Sequence, residues 1–301
     1  MNFRLTGLVA ATFTPMNGDG SLNLDRIAPL VDYLVDKGLS AVYVCGSTGE
    51  GPSMTNEERK ETAAAFVSAV SGRLKVVVHV GHSSLGDARA LAAHAQQIGA
   101  EAVAAVAPYY FKPDSVDTLV DSLAEITAGA PQLPFYYYHI PALTGVDADL
   151  EAMLRLAADR VPTLVGIKYT ATTLHEIQML RALDGGRFDI LHGRDEMLLS
   201  ALAIGVRGAI GSTYNFAAPL YQRLLAAFDG GDLEEAQRCQ ARSVAMIREI
   251  LGTGGQAGLK AAMNLLGFDC GPVRLPLRTL DAEQMSRLEQ NLRKAGLFDR
   301  P

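Results

Sequence analysis

Eight times between residues 7 and 228, a short apolar run gives way to a stretch whose apolar residues recur at helical spacing. The runs fall at 7–12, 41–45, 74–80, 102–106, 135–138, 164–168, 188–192 and 208–211. Several, such as Val76, Val77 and Val78, are apolar at successive positions, as in a strand buried on both faces. The stretches between them differ. At 24–37, Ile27, Leu30, Val31 and Leu34 share one helical face, and Gly38 stops the pattern. At 85–98 the face is Leu85, Ala88, Leu91, Ala92, Ala95 and Ile98, with Ser84 placed to cap it. Thr55 and Glu58 have the spacing of a capping box, and Asp114 is placed to start the helix after the fourth run. Strand-then-helix alternation means parallel strands joined by helical crossovers, and eight such units close a (β/α)8 TIM barrel. An open doubly wound sheet is the competing architecture, but no G-x-G-x-x-G follows the first run.

Beyond the eighth unit, helical patterns at 232–251, 259–266 and 282–294 follow without a strand pattern. The expected organisation is a barrel over residues 1–229, with its active site at the carboxyl ends of the strands. Residues 230–301 form a C-terminal helical extension of the same domain.

Composition narrows the function. The 301 residues are 49% hydrophobic and 20% charged, with a net charge of −6 and no run of Lys and Arg. That argues against a nucleic-acid surface. Residues 5–13 are interrupted by Thr6, Gly7 and Thr12, too short and polar to span a membrane, and read as the first strand. Cys45, Cys239 and Cys270 are far apart and odd in number, with no C-x-x-C. Neither a disulfide framework nor a zinc site is indicated, and a reducing cytoplasmic setting is expected. The partner expected is a small molecule.

In a barrel of this type the chemistry sits where the strands end. There the sequence places Ser47, Thr48 and Glu50, then Tyr110, Tyr138, Lys168 and Thr170, then Gly193, Asp195 and Glu196, then Gly211 and Ser212. Lys168 taken alone is an ordinary strand-end lysine, which is usually solvated. Partly desolvated, its amine is biased toward the neutral form that attacks a ketone. The turn Gly46-Ser47-Thr48-Gly49 has the composition of a common strand–helix turn, or of a backbone nest for an anion. Tyr136, Tyr137 and Tyr138 suit a strand, and alternation sends Tyr137 to the face opposite the other two. Asp195 and Glu196 also suit a helix start. His79, His82 and His192 match no ligand spacing, so no metal is expected.

Four of these segments together carry a resemblance: Gly46-Ser47-Thr48-Gly49-Glu50, Tyr138-His139-Ile140-Pro141, Gly166-Ile167-Lys168 and Gly211-Ser212-Thr213. In that order they resemble the N-acetylneuraminate lyase and dihydrodipicolinate synthase superfamily of Schiff-base aldolases. Residues 133–146 resemble the lyase branch, as does Gly193-Arg194-Asp195-Glu196. Leu143 stands where the synthases typically place an arginine for a substrate carboxylate, and a leucine cannot pair with one. His139 departs from the asparagine of many bacterial members.

The resemblance implies reversible cleavage of N-acetylneuraminate, a sialic acid, to N-acetylmannosamine and pyruvate, with no cofactor. It makes Lys168 the Schiff-base nucleophile and Tyr138 the proton relay. Ser47 and Thr48 hold the substrate carboxylate and orient Tyr138, while Thr170, Gly193, Asp195, Glu196 and Ser212 bind the hydroxyl chain. Tyr110 is passed across a subunit interface toward a neighbouring site, which implies a homotetramer. The alternatives are an aldolase for another 2-keto-3-deoxy sugar acid, a dihydrodipicolinate synthase, and a catalytically silent sugar-acid binding protein.

Overall fold

The computed structural model describes Met1 and residues 3–296. Among these, eight parallel strands pair in sequence order and the last returns to the first, closing a barrel. They are β1 (Gly7–Ala11), β2 (Ala41–Val44), β3 (Lys75–His79), β4 (Ala102–Val106), β5 (Phe135–His139), β6 (Leu164–Tyr169), β7 (Asp189–His192) and β8 (Gly208–Gly211). Outside them run α1 (Ile27–Asp36), α2 (Asn56–Val70), α3 (Leu85–Gln97), α4 (Val116–Thr127), α5 (Pro141–Thr144), α6 (Leu150–Arg160), α7 (Leu174–Ala182), α8 (Leu198–Ala203) and α9 (Tyr214–Asp229). Two further helices follow, α10 (Leu233–Leu265) and α11 (Ala282–Lys294). The chain therefore folds as a TIM barrel with extra C-terminal helices.

Alternation along the strands sorts the side chains into two cores. Val9, Tyr43, Val77, Tyr136, Tyr138 and Ile210 fill the barrel. Val42, Val103, Phe135, Tyr137 and Ile167 face outward against the helices. One irregularity matters for function. Phe135 pairs with Leu164 but Tyr136 pairs with Gly166, so β6 takes up one extra residue, Val165. A bulge of this kind re-aims the side chains that follow it. Strict alternation would put Val165 and Lys168, three positions apart, on opposite faces. The bulge leaves Val165 in the inner cluster and Lys168 beside the inner tyrosines. A Cβ on Gly166 would lie 1.9 Å from the Asp189 carbonyl oxygen of β7, so only glycine fits there.

Local signals hold in part. The Thr55–Glu58 capping box forms, and Ser84 caps α3. The cap of α4 is Ser115, not Asp114, whose carboxylate accepts from the Thr118 hydroxyl. The 24–37 helix opens as a 3-10 turn, and α5 was not anticipated. The last barrel helix opens at Tyr214 with a short turn that buries Asn215, kinks at Ala217 (φ −116, ψ 21), and runs on with Pro219 just after the kink. The helices expected at 232–251 and 259–266 are both present, as two segments of α10 that meet at a kink at Gly255 (φ 55, ψ −126). Packing against α8, α9 and α11 extends the first segment past the glycines at 252 and 254 to the kink. Of the segment 230–301, residues 297–301 lie outside the described residues.

The C-terminal part is tied to the barrel by a buried ion pair. Lys260 Nζ donates to Glu50 Oε1 at 2.8 Å and to the Pro272 carbonyl at 2.7 Å. Glu50 Oε2 accepts the Arg274 N–H at 2.8 Å. Lys260→Met strands the Glu50 carboxylate in the interior, and the expected loss is about 3–5 kcal/mol of stability, read as a fall in the urea midpoint. A midpoint equal to that of the wild type would show that the pair contributes nothing.

Candidate active site

Lys168 is the last residue but one of β6, with its Cα opposite Tyr138 on β5. It is 4% exposed. Its Nζ lies 3.9 Å from the Tyr138 ring centroid and 4.0 Å from that of Tyr43, so the amine is held between two aromatic faces. Burial pulls its pKa below the ordinary lysine value, while Tyr138 and Asp195 pull the other way. Desolvation favours the neutral amine, and the ring faces favour any cation formed on the same nitrogen.

Tyr138 packs edge to face on Tyr43 and on His79, each with ring centroids 5.9 Å apart. Tyr43 is fully buried, and its hydroxyl has no partner among the described residues. A Cβ on Gly46 would lie 2.7 Å from the Tyr43 ring, so the glycine lets the turn after β2 close over that ring. His79 is buried, with neither ring nitrogen bonded to a described group. Burial, helped by Arg59 and Lys168, holds it neutral with its pKa well below the usual histidine range. His192 on β7 is also buried and neutral, pushed down to about 4 by burial. His82 turns instead toward Asp87. Among the described residues no three His, Cys, Asp or Glu side chains converge as a metal site would require.

The turn after β2 and the turn after β8 meet. Thr48 Oγ1 and Ser212 Oγ are 2.6 Å apart. The contact joins two of the expected substrate-binding hydroxyls across the mouth of the barrel. Ser47, half-buried, sits beside it.

Asp195 is buried under this pair of turns. Its Oδ2 accepts the Thr213 N–H at 2.8 Å and the Thr213 hydroxyl at 2.6 Å. Thr213 continues through Tyr221 to Ser243 on α10, at 2.6 and 2.8 Å. Burial raises the Asp195 carboxyl to about 6, against the Thr213 bonds that lower it. A Cβ on Gly211 would fall 1.8 Å from Asp195 Oδ1, so the glycine that ends β8 makes room for the carboxylate. Gly193 does the same for Thr170, whose Oγ1 would lie 2.0 Å from a Cβ there. Thr170 Oγ1 is buried without a described partner. Arg194 donates to the Thr170 carbonyl at 3.3 Å and to Glu196 at 3.1 Å, which leaves Glu196 part-exposed beside Thr170.

Two expected residues lie apart from this cluster. Tyr110 is 77% exposed and packs edge to face on Phe111, which is exposed as well. Leu143, on α5, is also exposed.

Sequence reasoning missed Tyr43, Thr213, Tyr221 and the α10 side chains that reach the site. Tyr43 was findable, since alternation from Ala41 puts it on the inner face. The others were not, because they act through bonds between segments far apart in the chain.

Comparison with known proteins gives matches that span nearly the whole chain. The profile of the Dihydrodipicolinate synthetase family matches residues 4–295. The N-acetylneuraminate lyase of Mus musculus is 40% identical over 303 residues, covering 99% of this chain and 95% of its own. Among solved structures, the N-acetylneuraminate lyase of Proteus mirabilis superposes with a TM-score of 0.96 at 38% identity, covering 98% of this chain and 100% of its own. The sialic acid aldolase of Aliivibrio salmonicida superposes at 0.95, again at 38% identity, covering 99% of both chains. Profile, sequence and fold each span nearly the whole chain, and the protein belongs to the dihydrodipicolinate synthetase family.

Proposed function

We propose that the protein is a Schiff-base aldolase that reversibly cleaves N-acetylneuraminate to N-acetylmannosamine and pyruvate. One observation carries the reading: a buried amine, Lys168, stands at a barrel strand end between two tyrosine rings, beside the polar turns of β2 and β8. The names of the relatives supply the sugar.

Cleaving a carbon–carbon bond near a ketone leaves an electron pair that needs a sink. Neutral Lys168 adds to the ketone carbon, and loss of water gives an iminium. Tyr138 relays the proton of the substrate hydroxyl, passing its own on to the substrate carboxylate as it accepts. The hydroxyl-bearing carbon leaves as the aldehyde of N-acetylmannosamine, and the bonding pair moves into the iminium to give an enamine. Protonation of the enamine carbon and hydrolysis release pyruvate and return the amine. The positive charge of the sink is covalently built, so the reaction draws on no organic cofactor and no metal. Ser47 and Thr48 hold the substrate carboxylate. Thr170, Gly193, Asp195, Glu196 and Ser212 receive the hydroxyl chain, with the unpartnered Thr170 Oγ1 and the part-exposed Glu196 available for it.

Pyruvate release from N-acetylneuraminate, compared with release from 2-keto-3-deoxygluconate, tests the substrate. Faster turnover of the second compound would replace the sugar while keeping the chemistry.

The Asp195 carboxyl gives the reaction a pH limb. Below about 6 it is protonated, can no longer accept every bond offered to it, and binds the hydroxyl chain less well. The expected kcat/KM falls up to about tenfold per pH unit below that point, and Asp195→Asn lacks the limb. The fold responds with the opposite sign. A raised carboxyl pKa contributes stability at low pH, and that contribution is lost as pH rises through about 6. An acid loss of activity that tracked unfolding would therefore count against this assignment.

The exposed Tyr110–Phe111 pair supports assembly as a homotetramer in which Tyr110 reaches a neighbouring site. A solution mass of four chains by light scattering is expected, and a monomeric mass would remove this role. Cytoplasmic placement accords with three free, buried cysteines. Among the described residues no helix is long and apolar enough to cross a membrane.

A further inference from the structure

We propose that Gln256, on α10, is a positioning residue for the substrate carboxylate. The proposal rests on the Schiff-base reading above. α10 approaches the turn after β2 from outside the barrel and grips it twice from one face. Lys260, four residues after Gln256, binds Glu50 at the end of the turn. Gln256 binds its middle, where one amide nitrogen, Nε2, donates to the Ser47 carbonyl at 3.3 Å and to the Thr48 carbonyl at 3.1 Å. The break at Gly255 gives the helix its altered direction one residue before Gln256.

The consequence follows from peptide geometry. In a trans peptide the carbonyl and the N–H point in opposite directions. Ser47 C=O shares its plane with Thr48 N–H, and Thr48 C=O shares its plane with Gly49 N–H. The Ser47 carbonyl also accepts the Glu50 N–H at 3.1 Å, so the turn itself helps to fix that peptide. The Thr48 carbonyl, with no other protein donor among the described residues, is set by Gln256. With both carbonyls held, both N–H groups point away from Gln256. Neither N–H donates to a protein acceptor among the described residues. Engaging a carbonyl also strengthens the N–H of the same peptide as a donor. If either peptide turned over, a carbonyl oxygen would face the anion instead. Gln256 thus holds the turn in the one state that accepts a carboxylate, before any substrate arrives.

This assigns part of the active site to a helix outside the eight strand–helix units. It also separates two roles within the turn. The hydroxyls touch the ligand side, where Thr48 meets Ser212, while the carbonyls are held from behind by α10.

The test is steady-state kinetics in the condensation direction, with pyruvate and N-acetylmannosamine, on the full chain. Gln256→Met keeps the side chain's length and removes the donor. It should raise the KM for pyruvate about tenfold while kcat changes less than about twofold. The KM for N-acetylmannosamine should stay within about twofold. Gln256→Asn keeps the amide but falls short of the carbonyls, and should behave like Gln256→Met. Gln256→Glu places a carboxylate against two carbonyl oxygens and should be worse than either. Half-saturation of borohydride trapping by pyruvate should shift with the KM. A pyruvate half-saturation within twofold of the wild type in both Gln256→Met and Gln256→Asn overturns the proposal while leaving the Schiff base intact. If the wild type itself traps no pyruvate, the Schiff-base reading fails and this inference falls with it.

Discussion

Lys168→Ala is expected to abolish turnover of N-acetylneuraminate, by more than about ten-thousandfold, because no other group can supply the electron sink. Treating the wild type with pyruvate and borohydride should add one reduced pyruvyl group per chain, on the peptide that holds Lys168. The variant should gain none. Lys168→Met makes the same point without opening a hole beside Tyr43 and Tyr138, on whose rings the lysine amine rests. Lys260 is the other buried lysine, but its ammonium is committed to Glu50 and the Pro272 carbonyl. An adduct on any residue but Lys168, or turnover by Lys168→Met near the wild-type rate, would end the proposed mechanism.

Tyr138→Phe should separate the two halves of the chemistry. The substitution removes the hydroxyl and keeps the ring that faces the Lys168 amine and packs edge to face on Tyr43 and His79. Schiff-base formation with pyruvate should survive, so trapping persists. Cleavage needs a proton moved from the substrate hydroxyl, and its rate should fall about a hundredfold to ten-thousandfold. The pairing is diagnostic. If trapping were lost along with cleavage, Tyr138 would be needed to form the iminium. If both survived, the proton would be passing through another group. Tyr43 is not an obvious substitute, since burial and the neighbouring Tyr138 hold its phenol well above the usual tyrosine range.

Much of the fold was legible in the chain because barrel strands and helices bury their faces with different periods. Strands at 102–106 and 208–211 were read at their observed bounds, and most others to within a residue or two. Helix ends were harder to read. α9 opens with a short turn in which Asn215 is buried, because its side-chain amide donates to the Ala11 and Ser212 carbonyls. The break expected after position 251 exists but lies at Gly255, because packing extends the helix past the glycines at 252 and 254.

The site residues were legible as positions at strand ends, and as a resemblance. Their bonding was not. The Thr48 hydroxyl pairs with Ser212, from a turn far away in the chain. Asp195 was expected only to bind a sugar, yet one of its oxygens is committed to Thr213, and through Thr213 to α10. The carbonyl-binding role of Gln256 had no local signal, since an isolated glutamine on a helix is compatible with nearly any setting.

The amino-acid sequence alone determined the alternation of strand and helix, the closure number of eight, and which polar side chains would gather at one end of the barrel. Those follow from periodicity and chain order, which are local properties. The tertiary structure alone decided that Lys168 points inward, because that depends on the Val165 bulge and on how closely the Asp189 backbone passes Gly166. It decided that the amine is desolvated between two rings, and that a helix from the C-terminal extension holds the turn after β2. These depend on register and on contacts between segments up to about two hundred residues apart, and no pattern within a short window can encode such contacts.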